Sequence, residues 1–138
     1  MTDARQRIFP TLTYADADAA ITWLADAFGF EAGEVSRDEG GVVRHAELSH
    51  ETGVVMVGQH TEDGWLGRRQ LDPAGSPLSL YLLVEDPDAL HQRAVAAGAE
   101  IIYGLTDQPY GSREFGARDL EGNAWSFGTY DPAAAKPG

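Results

Sequence analysis

The segment RHAEL at 44–48 places a histidine two residues before a glutamate in what reads as a strand. Alternation then puts His45 and Glu47 on one face and Ala46 and Leu48 on the other. An imidazole beside a carboxylate is the raw material of general acid–base catalysis. As metal donors the two are too few on their own. A second segment, REFGARD at 113–119, repeats the pattern with Glu114, Gly116 and Arg118 opposite Phe115 and Ala117. One His, two Glu and one Arg on a shared surface could move protons or recognise a charged ligand. The same residues also read as plain polar pairs on an open sheet face. Other chemistries are missing: there is no cysteine, hence no thiolate nucleophile, thiolate metal site or disulfide. Gly40–Gly41 opens no helix and reads as a hairpin turn rather than a phosphate loop. No nucleophile elbow or Ser–His–Asp set is evident.

Those side chains need strands to carry them, and the chain supplies strand signals around two helices. A first strand is expected over 8–14. A first helix, capped by Asp16 or Asp18, places Ala20, Trp23, Leu24, Ala27 and Phe28 on one face and stops at Gly29. The second helix begins at cap Asp86 with Pro87 in its first turn, and Gly98 closes it. Further strands are expected at 42–48, 53–58, 78–84, 100–103, 113–118 and 123–129.

The two halves repeat. LTYADADAA (12–20) matches LLVEDPDAL (82–90) at an offset of 70, and ETGVVMVG (51–58) meets LEGNAWSFG (120–128) at 69. The expected organisation is a first module over 1–58, a linker over 59–77, a second module over 78–130 and a flexible tail over 131–138. Each module alone is of marginal size for independent stability. The formal charge of -12, from 10 Lys+Arg against 22 Asp+Glu, argues against nucleic acid and anionic membranes as partners. No apolar run approaches bilayer-spanning length and the first residues lack a signal-peptide core, so a cytoplasmic location is the expectation.

The segment YADADAAITWLADAFGFE resembles the opening strand–helix signature of the vicinal oxygen chelate superfamily, which includes glyoxalase I, extradiol dioxygenases and bleomycin-resistance proteins. DLEGNAWSFGTY resembles its closing hairpin, and PYGSREF is typical of the glyoxalase/bleomycin-resistance-like branch. The resemblance covers residues 8–130. It implies an α+β fold of two βαβββ modules, each a half-open curved sheet, around one cavity, and often a homodimer. Metal enzymes of the family take ligands from the first and last strands of each module. Those places fall on Phe9, Ser79, Ser126 and, at the offset of 69, Val57. Phe and Val donate nothing and Ser hydroxyls are weak neutral ligands, so no metal cofactor is expected.

If those positions face the cavity, alternation adds Thr11, Thr13, Val55, Tyr81, Leu83, Ala124 and Gly128. It sends Leu12, Tyr14, Leu80, Leu82, Trp125 and Phe127 toward the helices. Tyr110 and Arg113 are expected over the cavity mouth, and Trp65 in the linker as a lid, a stacking platform or ordinary packing. His91 reads as solvated surface. The candidate ligand-binding set is therefore Phe9, Thr11, His45, Glu47, Val57, Trp65, Ser79, Tyr81, Tyr110, Arg113, Glu114, Arg118 and Ser126. Three functions stay open: a metal-free binder of a small cationic or aromatic molecule, a metal-dependent lyase, isomerase or dioxygenase, or a metal-free acid–base enzyme using His45 with Glu47 or Glu114.

Overall fold

The structure is a computed structural model that describes residues 6–61 and 78–132. Trp65, Arg68 and Arg69 lie outside the described residues. The chain divides into two units, Met1–Gly75 and Ser76–Gly138. No helix among the described residues is long and apolar enough to cross a membrane.

The first unit runs β1 (Thr11–Tyr14), α1 (Ala17–Phe28), β2 (Glu31–Arg37), β3 (Val43–His50) and β4 (Gly53–Gln59), with sheet order β1-β4-β3-β2. β1 runs parallel to β4, and the other neighbours are antiparallel. Asp16, not Asp18, caps α1, its carboxylate accepting from the Ala19 amide at 3.1 Å. Asp18 instead pairs with Arg37 at 2.7 Å. Gly29 ends the helix at φ 80°, a left-handed conformation that costs glycine nothing. The buried stripe is Ala17, Ala20, Leu24, Ala27 and Phe28, and Trp23 lays its ring edge-on to Phe28 at 5.0 Å.

The second unit repeats this plan with β5 (Ser79–Leu83), α2 (Pro87–Ala96), β6 (Glu100–Asp107), β7 (Arg113–Arg118) and β8 (Ala124–Gly128), in order β5-β8-β7-β6. Asp86 caps α2 and Pro87 opens it. Phe115 and Phe127 stack at 4.9 Å between β7 and β8, and Trp125 lies parallel to Phe127. Trp125 is buried, and its indole N–H donates to Asp119 Oδ2 at 3.1 Å. The expectation that it belongs on the helix side holds. His91 is less solvated than expected, for its ring sits edge-on to Phe115 at 5.1 Å.

Three local expectations need correction. β1 starts at Thr11 rather than residue 8, and β6 continues to Asp107 rather than ending at 103. β2 was absent from the local strand signals because EAGEVSR has no apolar alternation. It is an edge strand, exposed along nearly all its length, with register shifts against β3. The Gly40–Gly41 turn between β2 and β3 forms as expected, with Asp38 accepting from the Gly40 and Val42 amides.

The repeat register is also corrected. Leu12 pairs with Val57, and Leu82, 70 positions on, pairs with Phe127. The closing strands are therefore related by 70, not 69. The offset of 69 belongs to β3 and β7, where Ala46 faces Val57 and Phe115 faces Phe127. The turn after β7 simply carries one residue more than the turn after β3.

Candidate functional site

Within the second unit, the face of β5, β7 and β8 turned away from α2 carries an open-sided cavity of about 570 Å³. Its lining is Tyr81, Tyr110, Glu114, Ser126, Tyr130 and Pro132. Tyr81 pairs in register with Ser126, and Glu114 with Gly128, so strand pairing alone brings these residues to one surface. Tyr110 arrives from the β6–β7 connection, which turns at Gly111 with φ 88° and closes with the Gln108 amide on the Ser112 carbonyl at 2.7 Å.

Two glycines make the room. A Cβ on Gly128 would lie 2.5 Å from Glu114 Cγ and 2.9 Å from both Ser112 Oγ and Tyr81 Oη. A Cβ on Gly116 would lie 2.4 Å from the Tyr103 ring, which crosses the bare backbone from its paired position on β6. Ser112 is buried and accepts from the Tyr130 amide at 3.0 Å, while Tyr81 Oη donates to the Tyr130 carbonyl at 2.6 Å. The segment bearing Tyr130 is thereby held over the sheet, and its ring meets Tyr110 edge-on at 6.0 Å.

Glu114 lies at the centre, 6% exposed. Tyr110 Oη donates to Glu114 Oε1 at 2.9 Å, and the described residues supply no second hydrogen bond to the carboxylate. The phenols around it respond. Burial first, and the Glu114 charge as well, push Tyr81 and Tyr103 above the ordinary 10.0, against the opposing contacts with Ser112 and Ser126. Tyr110 is raised chiefly by its hydrogen bond to Glu114. A phenol held protonated in the folded state stabilises the fold fully below its ordinary value, and the contribution is lost as pH climbs through the raised one. The chain should therefore lose stability in the alkaline range above 10.0, and Glu114→Gln should move the late-ionising phenols down in an ultraviolet phenolate titration. Late phenols that keep their midpoints in that variant would show that Glu114 is not what holds them up.

The structure sorts the remaining candidates. Tyr81, Tyr110, Glu114 and Ser126 converge on the cavity. Arg113 does not: it sits on the opposite face from Glu114, where its guanidinium bonds Asp88 at 2.7 and 3.2 Å and Asp107 at 3.1 Å. That pairing holds the Asp88 carboxyl below its usual range and ties β7 to the start of α2. Arg118 also misses the cavity lining. It pairs with Glu100 at 3.2 Å and with the Gly122 carbonyl, at the end of β7 where Ser79 and Ala124 are exposed or half-buried.

In the first unit, His45 and Glu47 do share a face, with Nε2 to Oε2 at 3.2 Å, but both side chains are about half exposed. Glu47 pairs with Met56 and Met56 with Thr11, which defines that face. Val57 lies on the other one, 1% exposed beside buried Ala46, because the true closing-strand offset shifts it by one residue. It is core, and Val55 with it. Phe9 is exposed ahead of β1. Tyr103, Ser112 and Tyr130 went unnoticed among the candidates. The usable signal was a large aromatic paired across from a glycine, Tyr103 with Gly116.

With the register corrected, the four places that metal enzymes of the resembled family use hold Phe9, Met56, Ser79 and Ser126. A ring, a thioether and two neutral hydroxyls do not fit a divalent ion. Among the described residues, no three His, Asp or Glu side chains group closely enough to hold a metal.

Comparison with known proteins agrees with this architecture. The uncharacterized protein Rv0887c of Mycobacterium tuberculosis is 34% identical over 123 residues, covering 86% of this chain and 71% of that protein. TioX from Micromonospora sp. ML1 superposes with a TM-score of 0.73 at 32% identity, over 94% of this chain and 100% of that one. The fosfomycin resistance protein FosX from Listeria monocytogenes shares the fold, with a TM-score of 0.65 at 12% identity over 94% of each chain. Residues 8–127 match the family model described as Glyoxalase/Bleomycin resistance protein/Dioxygenase superfamily. Paired modules, a glycine-floored sheet face and a matching family model lead to one assignment: the chain belongs to the glyoxalase/bleomycin resistance protein/dioxygenase superfamily.

Proposed function

We propose that the chain is a metal-free small-molecule-binding protein of the bleomycin-resistance type, with its ligand seated in the tyrosine-lined cavity of the second unit. The observation that carries this reading is a preformed cavity of about 570 Å³ lined by three tyrosines, a serine and a proline around a single buried carboxylate. Ligand pockets typically have that size and that balance of apolar wall to few polar groups. The poor donor set at Phe9, Met56, Ser79 and Ser126 supports binding over metal chemistry. A homodimer belongs to the same reading, by family resemblance.

Two measurements test it. Protein purified without chelator should carry no stoichiometric transition metal; near-stoichiometric Ni, Zn, Mn or Fe would overturn the reading in favour of a metal-dependent enzyme. A thermal-shift panel of antibiotics, dicarbonyl–thiol adducts and catechols should contain compounds that raise the melting temperature without being turned over.

The 3.2 Å contact between His45 and Glu47 favours a second reading, metal-free acid–base catalysis. Under it, His45→Ala abolishes turnover while ligand binding persists.

A further inference from the structure

We propose that the cavity of the second unit is a cage for an organic cation, an ammonium group enclosed by the rings of Tyr81, Tyr110 and Tyr130 and paired with the Glu114 carboxylate. The inference rests on the reading of this cavity as a ligand site and names the chemistry that the site selects.

The charge balance comes first. Glu114 is 6% exposed, and its one hydrogen bond in the described structure comes from a neutral phenol. A buried carboxylate without a cation is a costly arrangement. Among the described residues, no cationic side chain lines the cavity. Arg118, which alternation offered, and Arg113, expected at the cavity mouth, are bound elsewhere to Glu100 and to Asp88 and Asp107. The counter-charge is thus left for the ligand to bring.

The walls fit the same guest. Neutral phenol rings present negative faces, and a desolvated cation over such faces is attracted by the ring quadrupole. Tyr110 and Tyr130 meet edge-to-face, and the Tyr130 backbone is fixed through both its amide and its carbonyl, so the ring positions are set before any ligand arrives. Glycine at 116 and 128 keeps the floor low enough for Tyr103 and Glu114 to lie side by side. An anion would meet a carboxylate and three rings, with no cationic donor among the described residues. The -12 net charge of the whole chain raises the local concentration of cations further.

The test uses the full chain and two probes of equal shape: choline, and its uncharged isostere 3,3-dimethylbutan-1-ol. Binding is followed by amide chemical shifts in nitrogen-15-labelled protein. Choline should shift amides of residues 103–116 and 126–130 and bind at least roughly tenfold more tightly than the isostere. Added salt should weaken it. Glu114→Gln keeps the side-chain shape and should erase the preference for charge, its amide dispersion reporting that the fold is intact. Tyr110→Leu, on an exposed ring, should weaken choline more than the isostere. Equal affinity for the two probes, a preference that survives in Glu114→Gln, or choline shifts confined to other residues would each overturn the cage. The underlying reading fails separately. Compounds from the thermal-shift panel that seat at these amides without any choline preference overturn only the cation; the absence of any such compound, choline included, overturns the binding site itself.

Discussion

Asp119→Ala should lower the unfolding free energy by about 3–5 kcal/mol, the largest loss expected from a single polar substitution among the described residues. Asp119 is nearly buried and its carboxylate serves the whole closing turn. Oδ1 accepts from the Glu121 and Asn123 amides at 3.0 Å, and Oδ2 accepts from Asn123 Nδ2 at 3.0 Å and from Trp125 Nε1 at 3.1 Å. In the alanine variant, water can reach the half-buried donors of Glu121 and Asn123. It cannot reach the indole N–H, because Trp125 is 1% exposed beneath the sheet. Losing its bond to the carboxylate together with the three bonds to the turn accounts for the size of the loss. Denaturant unfolding followed by tryptophan emission measures it. A cycle with Trp125→Phe should show strong coupling, since either single substitution already breaks the bond between indole and carboxylate. Additive losses would show that the carboxylate acts on the turn alone.

Gly128→Ala should weaken ligand binding by roughly tenfold or more at a stability cost of about 1–3 kcal/mol. The new methyl must displace Glu114 Cγ from 2.5 Å, and Ser112 and Tyr81 from 2.9 Å. Glu114 lines the cavity, so a displaced side chain moves into it and its carboxylate takes the ligand's place. Gly58 stands at the same repeat position in the first unit and is the control. A Cβ there meets the Arg44 carbonyl at 3.1 Å, so Gly58→Ala should cost stability and leave binding unchanged. Unaltered affinity in Gly128→Ala would move the ligand site away from this cavity.

The sequence carried most of the scaffold openly. The caps Asp16 and Asp86, the stop at Gly29 and four of the five expected stripe residues of α1 follow from local rules, with Ala17 buried in place of Trp23. In the second unit, alternation also sorted the faces correctly: Tyr81, Glu114, Ser126 and Gly128 on one side, Trp125 and Phe127 on the other. In the first unit it failed at Val57, because one extra residue in a turn changes the repeat offset between adjacent strands, and a one-residue slip swaps every side chain to the other face. Arg113 was misplaced against its own rule, since it alternates with Glu114 and shares the parity of Phe115. The edge strand β2 left no pattern to read. The tyrosine ring around Glu114 was out of reach for a different reason. It joins residues from β5, β6, the β6–β7 connection and the segment after β8, and only the pairing register makes them neighbours.

The pair of glycines at 58 and 128 has a consequence for how such a protein changes over generations. Duplication gave both modules the same small residue at the same place, yet it is held there by different constraints. At Gly58 the neighbour is main chain, which no substitution elsewhere can remove, so a larger residue there always costs stability. At Gly128 the neighbours are side chains, so a change at 112 or 114 can release it. One module is free to serve as the invariant frame while its twin explores new guests, and a lineage can exchange one ligand for another through a few substitutions on β7 and β8 without disturbing the fold that both copies inherited.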